Sequence, residues 1–170
     1  MANKELYRIY KDVAFRRIAL SEAAKKSHPL LRGIVSDQEL AWIAQEVEGY
    51  ALIPGMRQGW PAPPGLPEYR YLYAHKAAFV REFDGAMLDE PVEFPKEANR
   101  LNVTIAPLRD IEHELRHNKH EYAIGALHHQ SADGFRIHAI VDHNQLLRLT
   151  ESFRLRFHAL LARILGIEFS

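Results

Sequence analysis

Cysteine is missing from all 170 residues, which removes disulfides, thiolate nucleophiles and Cys-ligated zinc from the set of chemistries to consider. An excess of either charge is missing too. Lys and Arg number 22 and Asp and Glu number 22, and no basic run is interleaved with aromatics, so nucleic acid is not an expected partner. There is no uninterrupted apolar stretch long enough to cross a bilayer, and Met1-Ala2-Asn3-Lys4-Glu5 has no apolar signal core. The expectation is a soluble, cytoplasmic protein. Internal repeats and low-complexity tracts are also lacking. What remains is an ordinary globular composition, 47% hydrophobic, sized for one domain over residues 1–170.

Patterning along the chain gives a mixed α+β expectation. Leu6-Tyr7-Arg8-Ile9-Tyr10 has the aromatic and β-branched character of a short first strand. Asp12 is placed to cap a helix from Val13 to Lys26, with Ala14, Phe15, Ile18, Ala19 and Ala23 on one face and Pro29 as its end. Leu30 to Val35 and Glu39 to Gln45 suggest a hairpin turning at Ser36-Asp37-Gln38, with a helix across Glu39 to Val47 as the alternative. Gly55 to Pro67 holds four prolines and reads as a loop, and its Trp60 reads as a packing contact before a lid. Tyr73 to Phe83 has helical spacing. Asn99 to Leu108 reads as a strand, pairing with a second one at Tyr122 to Leu127. Phe135 to Leu149 has helical spacing again, and so do Phe153, Phe157, Leu160, Leu161 and Ile164, with Gly166 as the stop.

Chemistry concentrates in His128-His129-Gln130-Ser131-Ala132-Asp133-Gly134. Histidine has the side chain whose unperturbed pKa lies nearest neutrality. Held in one tautomer beside a hydroxyl or amine it can take a proton, and a nearby acid can do the holding. The string comes after the expected strand and precedes the expected helix, so His129 falls at a strand end and Gly134 near a helix start.

His128-His129-x-x-x-Asp133-Gly134 resembles the signature of the chloramphenicol acetyltransferase-like superfamily, which includes condensation domains, wax-ester synthases and alcohol acyltransferases. Ser27-His28-Pro29-Leu30-Leu31-Arg32 is similar to that family's His-Pro-x-Leu-Arg segment, which ends a first helix and opens a strand. The resemblance implies one acyltransferase-like lobe, a mixed β-sheet with helices packed on it. It implies an acyltransferase that moves an acyl group from coenzyme A, or from a carrier-protein phosphopantetheine, to a hydroxyl or amine. No cofactor is held permanently; the thioester is a co-substrate. His129 is the implied general base, with His128 holding the loop. Asp133 is implied to form a buried ion pair with an arginine, for which Arg32 is the candidate, and Gly134 to allow close backbone approach. The oxyanion donor is unassigned, with backbone N–H groups near Gly134 a candidate by location.

Two-lobe members of the family are more than twice this length and carry an Asp-Phe-Gly-Trp-Gly segment that is missing here. Single-lobe members place the motif near the C-terminus and build each site between neighbours in a trimer. A homo-oligomer, with a trimer favoured, or a companion lobe is therefore implied. A non-catalytic partner or binding lobe of the same fold is the second reading. His113, His117 and His120 raise a third, metal binding, but their spacing is not the His-Glu-x-x-His pattern and no third ligand is obvious; the density of charge favours an exposed connection between two strands. His138 and His143 are expected on the helix after the motif. His75 and His158 carry no signal.

Overall fold

The computed structural model describes residues 2–50, 65–74, 76–81, 92–93, 100–104, 106–127 and 135–167. The chain divides into two compact units, one formed by residues 1–50, 106–116 and 148–170 and the other by 51–105 and 117–147. Helices and antiparallel strands together make it an α+β protein.

The first unit is helical. α1 (Ala2–Ala14) buries Leu6, Ile9 and Val13, three, four and seven residues apart, and this stripe explains why the aromatic character of Leu6 to Tyr10 does not make the expected strand. α1 stops where a single helix from Val13 to Lys26 was expected. Arg16 takes φ +54°, while its N–H reaches the Val13 carbonyl (3.2 Å) and the Arg17 N–H reaches the Asp12 carbonyl (2.8 Å). That pair of bonds is a Schellman cap with arginine at the position glycine usually takes. Gly166 closes α5 (His143–Leu165) in the same way, at φ +66°, as the sequence indicated.

α2 (Leu20–Leu31) buries Leu20, Ala23, Ala24, Ser27 and Leu31. Pro29 lies inside its last turn rather than ending it, and Leu31, the final residue of the helix, is buried. Ala19 has no side chain able to cap α2. Glu112, on α4 (Leu108–Arg116), supplies the cap, accepting from the Leu20 N–H (2.6 Å), the Ser21 N–H (3.2 Å) and the Ser21 hydroxyl (2.5 Å).

α3 (Asp37–Glu48) replaces the expected hairpin and agrees with the helical alternative. The apparent turn Ser36-Asp37-Gln38 is the start of a capping box: the Ser36 hydroxyl accepts from the Glu39 N–H (3.2 Å) and Glu39 accepts from the Ser36 N–H (3.1 Å). Arg163 also donates to Glu39 (2.5 Å). Burial alone would raise the Glu39 carboxyl, but the Ser36 hydrogen bonds and Arg163 hold it below its ordinary 4.5. Trp42 packs on Phe153, their ring centroids 5.4 Å apart, and Phe153 stacks on Phe157 at the same separation. Phe153, Phe157, Leu160 and Leu161 are buried along α5, as their spacing indicated.

The second unit holds the sheets. After a 3-10 turn at Glu68–Arg70, β1 (Tyr71–Ala74) and β4 (Arg100–Val103) form an antiparallel pair. β2 (Lys76–Arg81), β3 (Val92–Glu93), β5 (Glu121–Leu127) and β6 (Phe135–Asp142) form a four-stranded sheet in the order β3-β2-β6-β5, with each neighbouring pair antiparallel. The helix expected from Tyr73 to Phe83 is thus two strands. Leu72 and Ala74 are buried while Tyr73 is exposed, a period of two that outweighs the helical spacing. The strands expected near Asn99 to Leu108 and Tyr122 to Leu127 exist as β4 and β5, but they do not pair together: β4 pairs with β1 and β5 with β6. Trp60 and residues 55–64 of the proline-rich stretch lie outside the described residues.

Candidate active site

Residues 128–134, and with them His128, His129, Asp133 and Gly134, lie outside the described residues. Their flanks are defined. β5 ends at Leu127 and β6 begins at Phe135, and the two strands pair antiparallel. The strand before the motif is therefore as expected, whereas the helix after it is not: Phe135 to Asp142 is strand, and the helix begins at His143. This corrects the placement of Gly134 near a helix start. The backbone N–H groups of a helix N-terminus, the candidate oxyanion donors by location, do not come after the motif.

Arg32 caps the C-terminal end of α2 and is exposed. The next element is the helix α3, not the strand that the His-Pro-x-Leu-Arg segment opens in the resembled family. Its pairing with Asp133 is an expectation of the resemblance alone. An arginine that is fully buried occurs in the sheet unit instead: Arg70 sits at 0% exposure and donates to the Thr104 carbonyl at 3.5 Å, while the Thr104 N–H returns a bond to the Arg70 carbonyl at 3.0 Å.

Polar side chains gather where β5 begins and β6 ends. Asp142 accepts from the Gln145 N–H (2.9 Å) and so caps α5. The Gln145 amide continues outward to β1, accepting from the Tyr73 N–H and donating to its carbonyl, both at 2.7 Å. Tyr122 is buried. Its hydroxyl accepts from the Lys119 N–H (3.0 Å) and lies 3.0 Å from His143 Nδ1, fixing that imidazole by one of its two nitrogens. Beside it Lys76 pairs with Glu121 at 2.9 Å. The sequence placed Tyr122 on a strand and His143 on a helix, and both are so. It did not bring them together, although Asp142-x-x-Gln145 is a legible capping pattern. His138, expected on a helix, is on β6 opposite Ala78 and Ala126.

The histidine-rich connection from β4 to β5 begins as α4, with Ile111 buried and His113 in its last turn. Among the described residues, no group of three or more His, Cys, Asp or Glu is gathered to hold a metal ion. His75 lies outside the described residues. His158, half-buried, stacks on Tyr10 with centroids 4.2 Å apart, and burial lowers its pKa below the ordinary 6.5. No described helix is long and apolar enough to cross a membrane. Compared with models of known families, with curated proteins and with solved structures, the chain has no match in any of the three.

Proposed function

We propose that the chain is an acyltransferase of the chloramphenicol acetyltransferase-like kind, built as a single lobe. The observation that carries this reading is the string His128-His129-x-x-x-Asp133-Gly134 directly after a strand, β5. In the proposed reaction the acceptor hydroxyl or amine attacks the carbonyl of an acyl thioester, from coenzyme A or a phosphopantetheine carrier. His129 takes the acceptor's proton, the C–S bond breaks as the tetrahedral intermediate collapses, and the imidazolium returns the proton to the departing thiolate. His128 and Asp133 hold the loop, with Arg32 as the candidate partner of Asp133 and Gly134 giving room to the backbone. A second chain, most simply in a homotrimer, closes the site and excludes water.

The test is release of free thiol from acetyl-CoA in the presence of a panel of alcohols and amines. His129→Ala should lower the rate by about two to four orders of magnitude. Sedimentation of the same sample reports whether activity tracks assembly. The contrary reading, a non-catalytic binding lobe of this fold, draws support from two departures: a strand comes after the motif, and Ser27-His28-Pro29-Leu30-Leu31-Arg32 leads to a helix. Equal thiol release by the native chain and His129→Ala would establish that reading instead.

A further inference from the structure

α1 buries Leu6, Ile9 and Val13 and exposes Lys4, Arg8 and Lys11, which follow one another at spacings of four and three residues along the other side of the helix. Like charges at these spacings repel, so helix formation alone gives no reason for the stripe. Together with Tyr7, Arg17 and Leu30 the three cations line a cleft of about 740 Å³ that lies wholly within the helical unit. Aromatic rings, rather than carboxylates, position two of its cations. Lys11 Nζ lies 4.6 Å from the centre of the Tyr7 ring, and the Arg17 guanidinium lies 4.9 Å from that of Phe15. The Schellman turn after α1 anchors Arg17 as well, since its N–H is bonded to the Asp12 carbonyl at 2.8 Å. Among the described residues, Lys4, Lys11 and Arg17 have no carboxylate within ion-pair distance, and Arg8 meets Asp12 only at 3.9 Å. A cation braced by a ring keeps its charge for an incoming anion, whereas one paired with a carboxylate does not.

Glu5 and Asp12 also line the cleft, so its four cations leave an excess of two positive charges in a chain that is balanced overall. Lys4 and Lys11 are separated by about 10 Å along the helix, at ~1.5 Å per residue. An anion that meets both at once is extended and carries several charges, and a chain of phosphates has that length and that charge. We propose that the cleft along α1 binds a small molecule carrying a phosphate chain, a nucleoside triphosphate or an inorganic polyphosphate, through Lys4, Arg8, Lys11 and Arg17. The cleft has the size of a small-molecule site, and the chain's zero net charge does not suit a nucleic-acid surface. This site does not depend on the acyltransferase reading.

Titration calorimetry of the full chain at low ionic strength, without divalent cations, compares tripolyphosphate, ATP, citrate and single-stranded DNA. Tripolyphosphate and ATP should each bind once per chain, and more weakly as added salt shortens the range of the cations. Lys11→Ala and Arg17→Ala should each weaken tripolyphosphate binding about fivefold, the factor set by one charge pair near 4 Å in water. Lys11→Arg and Arg17→Lys, which keep the charge, should retain most of the affinity. Asp12→Asn removes a carboxylate and releases Arg8, so it should strengthen binding, a gain that a merely structural role of this helix end would not produce. ATP binding more tightly than tripolyphosphate identifies a nucleotide as the ligand; equal or tighter binding of tripolyphosphate shows that the phosphate chain alone is recognised. Citrate is compact and should bind more weakly than either. The proposal is overturned if neither phosphate chain binds, if citrate binds as tightly, or if Lys11→Ala and Arg17→Ala keep the native affinity while their circular dichroism matches the native chain. Tighter binding of single-stranded DNA than of both phosphate chains overturns it as well and assigns the stripe to nucleic acid.

Discussion

The helical unit secures its helix ends with identifiable partners, whereas in the sheet unit a group of described polar side chains gathers at one end of the β5–β6 pair. In the first, Glu112 caps α2, Ser36 and Glu39 cap α3, and Schellman turns close α1 and α5. In the second, Tyr122, His143, Asp142 and Gln145 tie β5, β6, β1 and the start of α5 together, and the residues proposed for chemistry come after the other end of β5. The lesson is a division of labour along one chain. Apolar stripes and caps hold the helical unit, and strand pairing with a polar cluster at the start of β5 holds the described part of the other.

The largest expected effect tests the helical side. Phe153 is 0% exposed and packs between Trp42 and Phe157, so Phe153→Ala should cost about 3–5 kcal/mol in urea unfolding. Hydrogen exchange on the same variant sharpens the comparison. Amides of α1 to α3 should lose more protection than those of β5 and β6, and equal losses would erase the distinction between the units.

A smaller effect tests whether caps matter as argued. Glu112→Ala removes three hydrogen bonds from the start of α2 and leaves its first N–H groups without that acceptor, for a loss of about 2–3 kcal/mol. Glu112→Gln should recover part of it, since an amide oxygen still accepts. If both variants melt with the native chain, water serves those N–H groups equally well and the cap is incidental.

On the sheet side, Tyr122→Phe keeps the ring and deletes the hydroxyl that meets the Lys119 N–H and His143 Nδ1. The expected cost is about 1–2 kcal/mol. It should leave the proposed release of thiol from acetyl-CoA in place, because the hydroxyl braces the opposite end of β5. A lost rate would show that the two ends are coupled.

How much of this was legible depends on how local the cause is. The apolar stripe of α5 and its glycine stop could be read directly, since Phe153, Phe157, Leu160, Leu161 and Gly166 carry the whole signal. The break after α1 could not, because Arg16 holds the φ > 0 position where glycine would have announced it. Ser36-Asp37-Gln38-Glu39 suited both a turn and a capping box, and α2 is capped by a residue distant in sequence, Glu112. In the sheet unit, β4 and β5 were visible through Leu101, Val103 and the apolar run from Tyr122. Their partners were not, since pairing is decided between distant segments. The spacing of Phe135 to Leu149 fitted a helix over its whole length, which hid the change from strand to helix at Asp142. The residues proposed for the site lie outside the described residues, but β5, the strand that leads to them, was legible. β6, the strand on their far side, was not.

The smallest expected effect is a dependence on pH that belongs to the helical unit. His158 has a folded pKa below 6.5, because burial against Tyr10 disfavours its cation. Between that lowered value and 6.5 the unfolded chain binds a proton that the folded chain does not, so stability rises with pH across this window. The contribution is complete above 6.5 and is lost as pH falls toward the folded pKa. Glu39 titrates lower, below its ordinary 4.5, and its stabilising bonds to Ser36 and Arg163 are lost only with further acidification. His158→Phe keeps a ring beside Tyr10 and removes the proton site. Its melting temperature should therefore fall less than that of the native chain between about pH 7 and pH 5.5. Parallel pH curves for the two chains would place the acid-sensitive groups elsewhere and remove this difference between the units.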